Sequence, residues 1–411
     1  MDGSAQIGGT ARTAEAESAY AWWRLLASLL IGSVGSVGFW AVVVTLPAVQ
    51  AEFQVARADA SLPYTLAMLG FGGGAVIMGR LADRFGVAAP LAGATLVLGL
   101  AFIASALAPS LMLFALANIL IGVGCAATFA PLMADISHWF TRRRGIAVAI
   151  CASGNYLGGA LWPPAVHFLT ATAGWRVNQV VIGIVCIATM LPLVLALRRR
   201  VASHAADLEE VAGANASLGL NPYALFALLC VAGVACCVAM SMPQVHIVAY
   251  CGDLGYGVAR GAEMLSLMLG FGIVSRIASG FIADRIGGLA TLLIGSILQG
   301  VALFLYLLSD GLTPLYVISA LFGLFQGGIV PMYAVIVREY FPPKQAGTLV
   351  GLVIMSTIAG MALGGWLSGA IFDLTGSYAY AFGHGLLWNL LNGAIALFLL
   401  LRYRRLRLVP A

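Results

Sequence analysis

Gly79-Arg80-Leu81-Ala82-Asp83-Arg84-Phe85-Gly86 returns 201 positions later as Gly280-Phe281-Ile282-Ala283-Asp284-Arg285-Ile286-Gly287. Each copy closes a long apolar run with a compact group of charges. Three further marks repeat in the same order. Pro131 and Pro331 are 200 apart, Gly154-x-x-x-Gly158-Gly159 and Gly360-x-x-x-Gly364-Gly365 are 206 apart, and Gly174 and Gly376 are 202 apart. Four marks at nearly one spacing describe two parallel halves.

The surroundings of the motif are lipid-like in composition. Of 411 residues, 61% are hydrophobic and 9% charged, with a mean hydropathy of +0.99. A soluble domain carries roughly 25% charged residues. This composition excludes a soluble enzyme, a disordered chain and a nucleic-acid binder. The seven cysteines lie in or beside apolar runs, so no disulfide framework is implied. No phosphate-binding loop with its lysine and no His-Glu-x-x-His or paired Cys-x-x-Cys is present. Neither a cofactor nor a metal site is therefore expected. Gly70-x-Gly72-Gly73-Gly74 and Gly122-x-Gly124 lie within spans and read as close helix packing.

A helix needs about 20 apolar residues to cross a ~30 Å hydrocarbon core. Hydropathy and flanking charges place twelve spans, at 24–49, 60–80, 88–108, 110–135, 145–169, 177–197, 222–251, 262–282, 288–308, 314–337, 346–370 and 378–401. The expected fold is an all-α membrane protein of two parallel six-helix repeats. Its parts are an N-terminal tail (1–21), a first bundle (22–197), a linker (198–221), a second bundle (222–401) and a C-terminal tail (402–411). With the N-terminus inside, 17 basic residues fall on the cytoplasmic side and 3 (Arg57, Arg176, Arg260) outside. That bias makes both tails and the linker cytoplasmic. The first ~20 residues lack the order of a cleavable signal. The expected location is the inner (cytoplasmic) membrane, multi-pass, with a monomer sufficient for function.

The remaining basic residue, Arg276, lies inside a span. At 1.5 Å per residue it sits about 12 Å from Asp284, near the midplane. Parallel repeats place a binding site at that depth. Arginine there is costly unless it faces a cavity and finds a partner. It holds carboxylate in a bidentate fork and stays charged. It reads either as a carboxylate anchor or as half of an interhelical ion pair. No other carboxylate is placed at that depth.

The doubled Gly-x-x-x-Asp-Arg-x-Gly motif resembles that of major facilitator superfamily transporters, over essentially the whole chain. Gln244 to Gly255, Ser275-Arg276-Ile277-Ala278-Ser279-Gly280 and Phe372 to Tyr378 resemble the monocarboxylate transporter and oxalate–formate exchanger group. The resemblance implies alternating access between two six-helix bundles. It implies Arg276 as the substrate cation, and a cavity walled by spans 1, 4, 5, 7, 8, 10 and 11. It gives Asp83-Arg84 and Asp284-Arg285 a gating role, against the alternative of static loop salt bridges. The exchanger pattern adds a lysine in span 11, whereas the one lysine here, Lys344, precedes that span. One cavity cation balances one carboxylate, and a dianion would stay half unpaired in low dielectric. The expected function is a secondary carrier of small monocarboxylates such as lactate or pyruvate, coupled to protons. An oxalate/formate-type organic anion antiporter is the alternative.

Asp253 matches by position an acidic residue of bacterial monocarboxylate transporters. It reads equally as a proton carrier or as an exposed loop aspartate. His246 could titrate near neutral pH or bond across helices. In span 4 the group often has tyrosine where Phe129 stands and asparagine where Ala127 stands. Their absence suits a more apolar acid. Asn155 and Gln326 could bond substrate or a neighbouring helix, and Tyr333, Tyr380 and His384 are further candidates. Tyr378 and Tyr380 could instead belong to an aromatic belt. Asp135, before His138-Trp139-Phe140 and the Arg142–Arg144 cluster, is expected to form an ion pair on the cytoplasmic side.

Overall fold

The computed structural model describes residues 18–140, 144–198 and 218–408. The N-terminal tail through 17, Arg142 and Arg143, and most of the linker lie outside the described residues, as does the side chain of Asp83. The first half comprises α1 (Ala19–Gly35), α2 (Val37–Phe53), α3 (Arg57–Phe85), α4 (Ala88–Ala106), α5 (Leu111–Ala126), α6 (Ala130–Trp139), α7 (Arg144–Ala173) and α8 (Trp175–Ala196). The second comprises α9 (Pro222–Asp253), α10 (Val258–Ile286), α11 (Gly288–Leu308), α12 (Leu312–Gln326), α13 (Ile329–Tyr340), α14 (Pro343–Thr375) and α15 (Tyr378–Leu408). Joined end to end, α1–α2, α5–α6 and α12–α13 make three of twelve rods. Eleven stretches are long and apolar enough to cross a membrane among the described residues. The twelfth rod, α7, has 30 residues, but Asn155, Tyr156, Pro163 and Pro164 dilute its apolar run.

The repeat holds at atomic detail. α3 and α10 are both 29 residues long, and both of their ends are offset by 201. The last glycine of each motif copy caps its helix with positive φ, 76° at Gly86 and 84° at Gly287. Each donates its N–H to a carbonyl four residues back, Ala82 and Ala283, at 2.8 Å. A side chain is strained at that φ, which explains why the motif ends in glycine. The first glycine of each copy makes no close helix approach: a Cβ at Gly79 or Gly280 would meet nothing within 4 Å. The reason is conformational and concerns how the bundles meet.

Three expected continuous spans are broken. The rod over 110–135 turns at residues 127–129 and the rod over 314–337 at 327–328, ahead of Pro131 and Pro331. Proline lacks an N–H and clashes with the preceding turn, so a fresh helix start accommodates it where a helix interior would not. The first span breaks at Ser36. That break abuts the one in α5–α6: the Cys125 thiol donates to the Gly35 carbonyl at 3.0 Å, and Thr128 fills the space beside Gly35.

Glycine permits the tight contacts inside each bundle. A Cβ on Gly122 would collide with the Ala67 carbonyl, and one on Gly323 with the Met268 carbonyl, again a pair offset by 201. Backbone cannot step aside as a side chain can. Gly323→Ala is expected to cost about 1–3 kcal/mol of stability, read as a lower unfolding temperature in detergent. A wild-type melting point would refute this contact.

The two bundles meet through α3 on α14, α7 on α10, and α2 on α9 and α10. The contacts concentrate at one end. Gly369 lies on Ala58, Gly365 on Tyr64 and Gly72 on Met355, while Gly159 lies against Trp40 and Leu269. Towards the other end they run out, at Gly79, Gly280 and Gly351. The bundles are sealed at the Arg57 end and part towards the Arg84 and Arg285 end. Asp284 and Arg285 are exposed there, and no ion pair joins them to the other bundle among the described residues.

Candidate functional site

The gap between the parted bundles leads towards Arg276, which is half-buried. Ser275 and Arg276 stand on α10 opposite the break between α12 and α13. A break frees backbone groups that need partners. The Gly328 N–H donates to Ser275 Oγ at 3.1 Å, and Arg276 Nε donates to the Gly327 carbonyl at 3.4 Å. The Tyr156 ring of α7 covers the guanidinium face, 4.4 Å from Cζ to the ring centroid. No carboxylate pairs with Arg276 among the described residues. Its two Nη groups are left as an open fork.

Unpartnered polar atoms surround it. Gln326, adjoining the break, is fully buried with neither amide atom hydrogen-bonded. Asn155 Oδ1, beside Tyr156, and Trp40 Nε1, against Gly159 at the seal, also lack partners. Buried polar atoms are nearly always bonded, so each marks a place for water or ligand. Phe129 begins α6 and is half-buried, with its ring centroid 6.3 Å from that of Phe71. Arg276, Asn155, Gln326 and Phe129 thus all lie at or beside the helix breaks and the α7–α10 contact.

Three candidates stand elsewhere. Tyr333 is fully buried within the second bundle. Its one hydroxyl hydrogen is shared between the Ala232 carbonyl at 2.9 Å and Asn392 Oδ1 at 2.8 Å. Tyr380 is 65% exposed in the first turn of α15, at the sealed end. His384 receives the Trp388 Nε1 hydrogen on that same helix, at 2.7 Å. Lys344 falls in the first turn of α14 rather than in a loop. That is still about 16 Å along the helix from Met355.

The sealed end carries an ion cluster across the bundles. Arg57 of α3 pairs with Asp253 of α9 at 3.1 Å. Its Nη1 donates to the Tyr378 hydroxyl at 2.5 Å, and the rings of Phe372 and Tyr378 lie 5.0 and 5.9 Å from Cζ. Asp373 accepts the free N–H groups of Arg57 and Ala58 at the start of α3, at 2.8 and 2.6 Å. Asp253 is therefore half of an inter-bundle pair, and Tyr378 is a buried partner rather than a belt residue. Two turns along α9, fully buried His246 donates from Nε2 to the Gly365 carbonyl at 2.7 Å. A carbonyl only accepts, so Nδ1 is the bare nitrogen, and it has no partner.

Sequence reasoning missed Tyr156, Trp40, Arg57 and Asp373. Tyr156 carried one signal, its place next to Asn155. Arg57 carried the opposite signal, since a basic residue at a span end reads as a solvated loop charge.

A sequence model described as Major Facilitator Superfamily matches residues 28–315 and 264–410. Monocarboxylate transporter 13 of Bos taurus is 27% identical over 318 residues, covering 75% of this chain and 72% of its own. The Agnestins efflux protein AgnL12 of Paecilomyces divaricatus is 26% identical over 295 residues, covering 69% and 65%. The solved nucleoside transporter NupG superposes with a TM-score of 0.74 at 12% identity, covering 93% of this chain and 99% of that one. A bacterial homolog of the human lysosomal transporter Spinster, in an inward-facing and occupied conformation, gives 0.67 at 16% identity, covering 94% and 96%. At these identities the solved structures speak to fold alone.

Proposed function

The chain belongs to the Major Facilitator Superfamily and is a multi-pass membrane transporter, and from that premise we propose that it carries small monocarboxylates by alternating access with proton symport. The observation that carries this reading is the open Arg276 fork, with no carboxylate beside it among the described residues. A fork of this kind matches one carboxylate, in line with the lactate- and pyruvate-like acids expected from the single cavity cation. The Monocarboxylate transporter 13 likeness supports the same class. The charge bias supports a cytoplasmic Arg84 and Arg285 end, and on that reading the present state faces inward. Asp83-Arg84 and Asp284-Arg285 are then the gate pairs that close when the cytoplasmic ends meet, and the described members Arg84, Asp284 and Arg285 make no ion pair to the other bundle.

Protein reconstituted in liposomes is expected to take up labelled lactate faster under an inward proton gradient, and to ignore lactamide. Equal uptake of acid and amide would overturn the carboxylate reading. Exchange of preloaded oxalate without pH dependence would favour the antiporter.

Coupling is assigned to Asp253 and His246. With the outer face sealed, Arg57 is the counter-cation of Asp253. With the face open Arg57 is withdrawn, and a proton is the cation that replaces it. His246 Nδ1 lies about 10 Å further along the same face of α9 and is the second proton-linked candidate of this reading. His246→Gln is expected to abolish stimulation by the proton gradient while lactate counterflow persists. Unchanged stimulation would remove His246 from the route.

The sealed cluster also predicts a population shift. Arg57→Ala deletes the ion pair, the Tyr378 bond and two ring contacts together. Asp253 is 40% exposed on its side chain and can be rehydrated. The cost to the sealed state is therefore about 2 kcal/mol, below the about 3–5 kcal/mol of a fully buried pair and roughly thirtyfold in population. Spin labels at Gln54 and Tyr256, flanking the seal, should report a longer separation. An unchanged distance distribution would show that the cluster does not hold the face shut.

A further inference from the structure

We infer that the acid this site takes carries an aryl or extended alkyl body, held by the first bundle opposite Arg276. The inference rests on the carboxylate reading above and deepens it. The two walls of the cleft differ in kind. The second bundle supplies the cation, next to the α12–α13 break and the buried, unpartnered Gln326 amide. The first bundle carries a cluster of three rings, Phe39, Phe71 and Phe129. Ring centroids are 4.9 Å apart for Phe39–Phe71 and 6.3 Å for Phe71–Phe129, the first pair edge-on and the second tilted. These rings come from α2, α3 and the turn into α6, and α2 and α3 are helices that pack against the second bundle. Phe71 and Phe129 are only half-buried. Apolar ring surface left beside an open cleft is relieved by an apolar ligand body.

The α5–α6 turn offers the ligand few hydrogen bonds. On the α5–α6 turn, Ala127 has none. Thr128 donates its hydroxyl to the Cys125 carbonyl at 2.8 Å. No side-chain donor of that turn remains to hold a second carboxylate. Geometry then orients the ligand. Tyr156 covers the guanidinium face, and Nε is turned to Gly327, so a carboxylate must meet the Nη edge. A bidentate acid lies in line with that edge and projects its body away from α10, across the cleft. Trp40 Nε1 and Asn155 Oδ1 remain near the head end for one further polar contact.

The test is binding to purified protein in detergent, read as ligand-induced thermal shift across a concentration series. The ligands are acetate, hexanoate, 3-phenylpropanoate and 3-phenylpropanamide, on wild type, Phe129→Leu, Phe129→Ala and Arg276→Gln. For the wild type, 3-phenylpropanoate and hexanoate are expected to bind at least about tenfold tighter than acetate, a modest demand for several buried methylenes. The amide should not bind. Phe129→Ala should lose most of the preference, with Phe129→Leu between the two as evidence that the site still folds. Equal affinity for acetate and 3-phenylpropanoate, both lost in Arg276→Gln, would overturn the apolar body and leave the carboxylate reading standing. Tight binding of the amide, or full binding to Arg276→Gln, would overturn both.

Discussion

Arg276→Gln is expected to abolish carboxylate transport while leaving the fold intact. Removing a charged partner from a desolvated contact typically costs 2–5 kcal/mol. A middle value of about 3 kcal/mol weakens binding roughly a hundredfold. The stability cost should be small, because the side chain's own bonds are few. It makes one long hydrogen bond to Gly327 at 3.4 Å and one ring contact with Tyr156. Arg276→Lys separates charge from shape. Lysine keeps the positive charge but loses the planar fork and the stacking on Tyr156. It should retain weak transport, with apparent affinity reduced more than maximal rate. The measurements are initial uptake rates in liposomes against acid concentration, with melting points for each variant. Undiminished transport by the glutamine variant would show that the carboxylate is held elsewhere.

Asp135→Ala is expected to be the most destabilising single change in the first bundle. Arg24 of α1 is 1% exposed on its side chain and Asp135 of α6 is 16% exposed. The pair is bidentate, with Nε to Oδ2 at 2.7 Å and Nη2 to Oδ1 at 2.8 Å. Arg24 also donates to Tyr20 at 3.2 Å and lies over Trp139, 4.9 Å from the ring centroid. Without Asp135 a buried guanidinium loses its counter-charge, at a cost of about 3–5 kcal/mol. The double variant Arg24→Met/Asp135→Leu removes both charges and should recover most of that loss. Thermal unfolding in detergent reads the difference. A double variant no more stable than Asp135→Ala would place the effect in packing rather than in charge.

The contrast between these two arginines shows how far a linear reading reaches. Asp135 was expected to pair on the cytoplasmic side, and it pairs, but with Arg24, which had been counted among the topology charges. Arg276 was singled out because it alone interrupts an apolar span, and burial cost is readable from sequence. Phe129, Asn155 and Gln326 were marked by polarity or by likeness and lie around the same cleft. Tyr333 carried the same signals. Its hydroxyl is taken by Asn392, 59 positions away, and no span prediction anticipates that bond. Tyr378 read as a belt residue because tyrosines gather at membrane interfaces, yet it is bonded to Arg57 across 321 positions.

Span positions, the internal repeat, the charge bias and the midplane cation are properties of composition along one dimension. Lipid enforces them, since each crossing segment must satisfy its own backbone and shed its charges to the ends. The breaks at Pro131 and Pro331 were latent in the same string, because proline cannot continue an interior turn. Which face of the molecule is shut was not latent there. It depends on Arg57 meeting Asp253 and Asp373, 196 and 316 positions away, and on Gly365, Gly369 and Gly72 letting two bundles touch at one end. Those contacts exist only once the bundles have docked. Two dockings of one sequence in which Arg57 changes partner are what an alternating carrier requires.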